Sequence, residues 1–468
     1  MAIDVVVIGA GAAGLAAATR LGALGLAARV VEAAGWIGGR ARTDNHSFGT
    51  PFDLGCHWLH AAGLNPLRVQ ADRLGFRYGL HGQPVRHCRG GRLLDAADQA
   101  ACDAHVASGL DRLAEAGRAG QDVAAADLVD GAHRWHRALA ATFTAMQGVP
   151  PRQGSTLDFA RYVREGDDLP VPDGLGNLIA ALGRGLAVEL GTPVRRLDLR
   201  PARGIRVETV KGTLEARCAI LTVSTGVLRS GALGFAPALP RWKEDAIAAL
   251  PMGSCNKVAL SLDRPVADGL GACVLLPLDR DGEAVEIVLQ PGGAGLVVGL
   301  YNGPHGAAIA DAGVDAMAED LLDRLDRLFG SRVRAAAGAV RIMADWDREP
   351  FVRGYVSAPL PGRAEARRAL AEPVDGRLFF AGEATSPDFM GDVHGAWLSG
   401  LRAAEDAARA LGIAVLPDGR RTGDGVEGKE WLRNSVVLQY PVPSNSQLSG
   451  LMTVLSPCGG TDAGPDDC

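Results

Sequence analysis

Six residues constrain this chain more than any others: Gly9-Ala10-Gly11-Ala12-Ala13-Gly14, set between an apolar run and a helical pattern. Ile3 to Ile8 reads as a strand buried on both faces, and the Ala/Leu-rich stretch up to about Gly25 reads as a helix. A second strand, Ala28 to Glu32, completes a βαβ unit. Glycines alone are a weak signal in a chain that holds 62 of them, but here strand, turn, helix and terminal acid fall in register. Gly9 permits the tight turn, Gly11 lets the backbone approach a pyrophosphate, and Gly14 lets helix and strand pack closely. The helix start, with Ala13 in its first turn, offers free N–H groups and a positive dipole end to phosphate. Glu32 is placed to accept hydrogen bonds from ribose hydroxyls.

At 468 residues the chain is too long for one ordinary core, and two domains interleaved in sequence are expected. With 47% apolar and 22% charged residues it reads as a globular enzyme. A net charge of −6 and no dense Lys/Arg run argue against nucleic acid as a partner, and suit a cationic substrate. The eight cysteines show no metal-ligand spacing, so no metal site is expected; free thiols in a reducing cytoplasm are. No secretory pattern precedes the first strand, and no apolar run reaches the roughly 18 residues that a membrane-spanning helix needs. Oligomeric state is left open.

Past about Leu74 the pattern turns helical, with residues 95–147 rich in Ala/Leu periodicity. Leu175 to Leu190 reads as a helix. Strands are expected at Thr192 to Leu199, Gly204 to Val210, Cys218 to Val223, Lys257 to Leu262, Glu286 to Leu289, Leu296 to Tyr301 and Arg377 to Phe380. Helices are expected at Ala312 to Phe329 and His394 to Leu411. Residues 413–468, rich in Gly, Pro, Ser and Asp, read as a disordered tail.

The residues after Glu32 narrow the cofactor. Gly38-Gly39-Arg40 offers a second close backbone approach and a guanidinium that can fork onto phosphate, which a nicotinamide enzyme does not need. Glu32-(x)5-Gly-Gly-Arg-x-x-Thr43 resembles the second FAD-contact segment of the flavin-dependent amine oxidase superfamily. Four further segments agree in order: Phe52-Asp-Leu-Gly55-Cys56-His57-Trp58-Leu-His60 with Asn65-Pro66, Cys218 to Leu228, Leu250 to Lys257, and Gly382-Glu383 with Gly391-Asp392-Val393-His394-Gly395.

The resemblance implies a doubly wound, Rossmann-like α/β FAD domain (1–74, 191–236 and 371–412) interleaved with an α+β substrate domain (75–190 and 237–370). It implies FAD contacts from Gly9, Gly11, Ala13, Gly14, Glu32, Gly39, Arg40, Gly55, Cys56, His57, Val194, Gly382, Glu383 and Val393. It makes Lys257 the catalytic lysine that holds a water beside the flavin; by position alone, a lysine heading an apolar strand is more often a solvated strand end. Burial would depress its pKa. His57 and Trp58 are expected on opposite faces of a strand, with His57 at a substrate-facing position. Trp346 and Tyr355 would shape an aromatic cage. Asp392 replaces the aromatic or small residue often found at its position. Gly354 falls where monoamine oxidases carry their flavin-linked cysteine, and no cysteine neighbours it in sequence, so noncovalent FAD is expected. The acidic stretch Glu165, Asp167, Asp168 and Asp173 would draw in a cationic substrate.

The expected activity is oxidation of a C–N bond by hydride transfer, with O2 as acceptor and H2O2 as product, on a small-molecule amine and chiefly on polyamines. A monoamine or L-amino-acid oxidase of the same family is the next reading. An FAD-dependent desaturase or dehydrogenase with a non-oxygen acceptor shares the first fingerprint but does not predict Lys257.

Overall fold

The computed structural model describes residues 3–264, 270–289 and 295–415. The expected tail from 416 onward lies outside the described residues.

Ile3–Ile8 is the inner strand of an eight-stranded sheet. It pairs in parallel with Ala28–Val31 on one side and with Gly212–Leu221 on the other, with Val5 opposite Ala28 and Cys218. Its side chains alternate between two cores. Val5 and Val7 pack with the helices Ala12–Ala23 and Val393–Ala410, whereas Val6 and Ile8 pack with residues of the helices Arg241–Ala248 and Ala366–Ala371. A strand covered on both faces must be apolar throughout, which is why this run does not alternate. Val194–Asp198, Ile205–Thr209, Gly234–Ala236, Val188–Glu189 and Leu378–Phe380 complete the sheet.

A seven-stranded sheet has the order Ala337–Ala344, Cys255–Leu262, Leu296–Asn302, Ala284–Leu289, Cys273–Pro277, Val85–Arg89, Arg92–Leu93. One face carries Val258, Leu260, Val297 and Tyr301 against the amphipathic helix Val314–Phe329. The other carries Cys255, Ala259, Val298 and Leu300, and packs with Phe52, Leu54 and Trp346. Lys257 stands on this second face, opposite Leu300 and Ala344. The fold is thus mixed α/β, with a doubly wound sheet and a second, largely antiparallel one.

Three expectations change. The helix from Leu175 ends at Leu182, where Gly183 caps it and Gly185 turns with φ +86°; Val188–Glu189 then joins the first sheet beside Ala28–Val31. The strands Val85–Arg89, Cys273–Pro277 and Ala337–Ala344 carry too little alternation to stand out in sequence. Residues 52–60 are not one strand. Phe52–Asp53 pairs with Thr43–Asp44, and Trp58–Leu59 pairs with Leu169–Pro170. Between them the chain turns at Gly55, where a Cβ would sit 1.6 Å from the Arg40 carbonyl oxygen. His57 and Trp58 therefore do not point to opposite faces; their ring centroids lie 3.5 Å apart.

No helix among the described residues is long and apolar enough to cross a membrane. Nor do the described residues contain a His/Cys/Asp/Glu group able to hold a metal ion. The six described cysteines are unpaired.

Candidate active site

The first helix opens onto a cavity of about 360 Å³. Gly9, Gly11, Ala13, Glu32, Gly39, Arg40 and Val194 line one part of it. Gly55, Cys56, Trp346, Tyr355, Gly382, Glu383, Asp392 and Val393 line the rest.

The glycines divide by cause. Gly9 has φ +106°, and a Cβ there would meet Thr222 Oγ1 at 2.3 Å. Gly14 would set a Cβ 1.9 Å from the Gly9 carbonyl oxygen. Both are required by the protein itself, and Gly14 does not line the cavity. Gly11 is different. Its φ of −75° suits any residue, and a Cβ would come no nearer than 3.8 Å to protein atoms outside its own turn. Packing leaves room for a side chain at Gly11, so its absence fits a ligand that approaches the backbone there.

Glu32 is buried and satisfies the turn: Oε2 accepts from Ala10 N at 2.6 Å and Oε1 from Ala34 N at 2.8 Å. Each oxygen keeps a lone pair for a ribose hydroxyl. Arg40 does not hang free for phosphate. Its Nη1 donates to the Tyr355 carbonyl at 2.5 Å and to Glu383 Oε1 at 3.1 Å. Glu383 also accepts from Ser357 Oγ at 2.7 Å. Ser357 is held in turn by the fully buried Arg367, whose Nε and Nη2 fork onto Asp158 at 2.7 and 3.0 Å. Sequence reading missed this buried network. Arg367 lies in Ala366–Ala371 among neighbours that read as an ordinary solvated helix, and only packing reveals its burial.

Lys257 is 2% exposed. Its Nζ donates to the carbonyls of Gly55 and of Asp53 (3.2 Å) and lies 2.8 Å from His57 Nδ1. Burial is the largest influence on it and lowers its pKa. These three partners use all the hydrogens of an ammonium, so the water-holding role implied by the family requires one of them to give way. Asp53 itself is buried and caps the helix Leu175–Leu182, accepting from Leu175 N at 2.8 Å and Gly176 N at 3.1 Å.

His57, Trp58 and Lys257 face a smaller cavity of about 50 Å³ with Val288 and Val298, while Trp346, Tyr355 and Asp392 face the large one. Burial, then the charge of Lys257, pushes the His57 pKa well down, so the ring is neutral. Trp346 is fixed by Nε1 donating to Leu54 O at 3.1 Å. Cys56 lines the large cavity although it is remote from Gly354 in sequence; burial pushes its thiol up to about 12 and keeps it a poor nucleophile.

Asp392 accepts from Tyr162 Oη at 2.5 Å. His60 pairs with Asp168 at 3.0 Å. Burial opposes charge on His60, but Asp168 and Asp392 outweigh it and raise its pKa to about 9. Asp168 is therefore not the free rim carboxylate expected from sequence. Asp173 is likewise engaged, by Arg77 at 2.6 Å. Glu165 stays exposed, and the Asp167 carboxylate accepts from Gly82 N at 3.4 Å and lies 3.9 Å from His81.

The profile of the family described as "Flavin containing amine oxidoreductase" matches residues 12–106 and 102–408. Over 446 residues the chain is 29% identical to Polyamine oxidase 2 of Arabidopsis thaliana, covering 86% of this chain and 87% of that protein. It is 27% identical to human Lysine-specific histone demethylase 2 over 441 residues, 86% of this chain but 53% of that protein. Among solved structures, cyclohexylamine oxidase from Brevibacterium oxydans superposes with a TM-score of 0.75 at 23% identity, covering 88% of this chain and 100% of that one. The profile match, which spans most of the chain, shows that it belongs to the flavin containing amine oxidoreductases.

Proposed function

We propose that the chain is an FAD-dependent amine oxidase acting on polyamines or another cationic secondary amine, with FAD held noncovalently. The observation that carries this reading is the large cavity, which runs from the Gly11 and Glu32 cradle to Trp346, Tyr355 and Asp392. Gly9, Gly11, Glu32, Gly39 and Val194 would hold the adenosine and pyrophosphate part. The first turns of the helices Ala12–Ala23 and Val393–Ala410 would turn N–H groups, Ala13 and Val393 among them, and positive dipole ends toward the cofactor. Gly382 and Glu383 would meet its middle, and Gly55 and Cys56 its ring, whereas His57 faces the smaller cavity. Arg40 serves by fixing Glu383. Residues 1–74, 191–236 and 371–412 would then form the cofactor domain, and 75–190 and 237–370 the substrate domain.

When bound, the flavin would supply two-electron oxidation of the C–N bond, with O2 as the final acceptor and H2O2 as product. The chain's residues do the rest. Trp346 and Tyr355 wall the reacting nitrogen and exclude water. Asp392 and the Asp168–His60 pair set the charge near the entrance. The buried Lys257–His57 pair handles protons. The oxidised C=N product is hydrolysed by water to a carbonyl compound and a smaller amine.

A peroxide assay across spermidine, spermine, their acetylated forms, benzylamine and several amino acids tests this. Preference for a polyamine supports the reading. Preference for benzylamine or an amino acid refutes the polyamine assignment, and reduction of bound flavin by amine without peroxide refutes O2 as acceptor. Acid precipitation should release the flavin; flavin that stays with the protein refutes noncovalent binding and makes Cys56, the cavity thiol, the first residue to replace.

A further inference from the structure

Asp392 is the N-cap of the helix Val393–Ala410 and has the extended backbone of a capping residue, with φ −90° and ψ 149°. An aspartate there ordinarily accepts a hydrogen bond from the second or third N–H of its own helix, as Asp95 does from Asp98 N at 2.8 Å. Asp392 makes no such bond. Its carboxylate turns elsewhere: Oδ2 accepts from Tyr162 Oη, and Oδ1 makes no hydrogen bond among the described residues. The residue is only 9% exposed, yet Oδ1 is not sealed in by protein. The cavity that Asp392 lines is the large one, shared with Trp346 and Tyr355. The helix thus forgoes a cap, and a carboxylate oxygen stands open in a cavity with aromatic walls.

The cations near this carboxylate are engaged elsewhere. Tyr162 is a neutral donor, because burial, then the charge of Asp392, pushes its hydroxyl far above the ordinary range. His394 Nδ1 lies 3.7 Å from Oδ2, but it also faces Asn65 Nδ2 at 3.3 Å. Burial lowers the His394 pKa to about 4, so that ring is neutral. His60 is charged and paired with Asp168. Arg40 holds Glu383 and the Tyr355 carbonyl. Arg164 is exposed and lies over the Tyr162 ring at 5.2 Å.

An uncompensated buried carboxylate is costly, and such groups are normally paired with a cation. The positive dipole end of the helix Val393–Ala410 offsets part of that cost. The rest calls for a cation that enters through the cavity. Among the described residues no His/Cys/Asp/Glu group could hold a metal ion, so an organic ammonium is the cation that fits.

We propose that Asp392 anchors a second, charged nitrogen of the substrate, one that is not oxidised, and so selects diamines and polyamines over monoamines. This rests on the amine oxidase reading above. The nitrogen of the bond being oxidised has to be uncharged, and a carboxylate beside it would hold its proton. Asp392 therefore suits the other nitrogen, while Trp346 and Tyr355 wall the reacting one. An alkylammonium, with a pKa of about 10 in water, donates to Oδ1 and keeps its charge. A monoamine leaves Oδ1 empty. An α-amino acid would bring a carboxylate into the same cavity, and like charges repel strongly where the dielectric is low. A small residue at this position would supply neither effect, and an aromatic one no negative charge. The anchor is this chain's own, since the resemblance leads to one of those two residue kinds at position 392.

The test sets each diamine of a chain-length series against the monoamine of the same length. Anaerobic, dithionite-reduced holoprotein binds amines but cannot oxidise them, so calorimetric titration reads binding alone. The best-fitting diamine should bind the wild type roughly ten- to 150-fold more tightly than its monoamine, the worth of one hydrogen bond to a charged group. Asp392→Asn keeps the shape and still accepts from Tyr162; it should remove most of that preference and leave monoamine binding unchanged. Asp392→Thr, also neutral, should do the same and serves where the first variant loads flavin poorly. Tyr162→Phe keeps the carboxylate and should keep the preference. No preference in the wild type, or the same preference in both neutral variants, overturns the proposal. Loss of preference in Tyr162→Phe would assign it to the phenol and also overturns it. So would a weaker hold on FAD in the neutral variants with diamine preference intact, which would place the carboxylate on the cofactor. Binding needs no turnover, so the two readings separate. A diamine preference that depends on Asp392 in a protein that yields no peroxide with any amine would defeat the functional reading alone. Peroxide from polyamines with the preference unchanged in Asp392→Asn would defeat this proposal alone.

Discussion

Replacing Gly11 and Gly14 separately with alanine should separate ligand approach from folding. At Gly14 the new Cβ would lie 1.9 Å from the Gly9 carbonyl oxygen and 2.9 Å from its carbon. Backbone must move, and forcing the helix Ala12–Ala23 off Ile3–Ile8 is overpacking at the centre of the first core, costing about 1–3 kcal/mol or more. At Gly11 the nearest contacts are ordinary, at 3.8 and 3.9 Å, and φ is already −75°. Gly11 is the N-cap, so alanine forfeits a few tenths to about 1 kcal/mol of capping preference. It regains about 0.4–1 kcal/mol by restricting the unfolded chain. The apo-protein should therefore unfold within about 1 kcal/mol of wild type. A methyl group in the cavity, however, stands where the pyrophosphate approaches the N–H groups. Losing one charge-assisted hydrogen bond is worth about 1.5–3 kcal/mol, or roughly ten- to 150-fold in Kd. The assay pairs denaturant unfolding of apo-protein with FAD titration by flavin fluorescence. Equal destabilisation of the two variants, or Gly11→Ala binding FAD as tightly as wild type, would refute the assignment of Gly11 to the ligand.

Arg367→Met should destabilise the fold by about 3–5 kcal/mol, because it leaves Asp158 buried and uncompensated; a loss under about 1 kcal/mol in denaturant titration would show the network to be dispensable. Lys243, buried against Phe380 and donating to three carbonyls at the end of the helix Ala366–Ala371, has its pKa lowered by burial to about 7. The unfolded chain binds that proton more tightly than the fold does, so Lys243 contributes a stability that rises with pH from about 7 to its unfolded value of about 10.4. Lys243→Met should flatten that slope, and an unchanged slope would count against the shift. Lys257→Met should keep flavin bound but slow its reduction or reoxidation, since the lysine sits beside the cofactor cavity; wild-type transients in stopped flow would remove Lys257 from the mechanism.

The first sheet and its cradle were legible because their causes are local. An all-apolar strand, a glycine turn whose φ and close contacts exclude side chains, and an acid at the next strand's end act within about thirty residues. Glu32 and Gly14 need no distant partner to be understood, and Gly9 is already set by its φ of +106°, although Thr222 also closes on it. The family match rests on the same kind of local signal, repeated in order along the chain.

The pairings at the site are a different matter, since they join residues far apart in sequence. Lys257 reads alone as a solvated strand end; burial and the carbonyls of Asp53 and Gly55, about two hundred positions earlier, give it its state. Asp168 reads as a rim charge until His60 folds against it, and Arg367 as a surface residue until Asp158 and Ser357 enclose it. Hydrophobic period and turn chemistry specify which segments form, but a side chain's charge depends on its burial and its neighbours within a few ångströms. Sequence therefore determined the dinucleotide cradle and the family, and tertiary packing decided which carboxylates are free, which histidine is charged, and that Lys257 and His57 meet at hydrogen-bond distance.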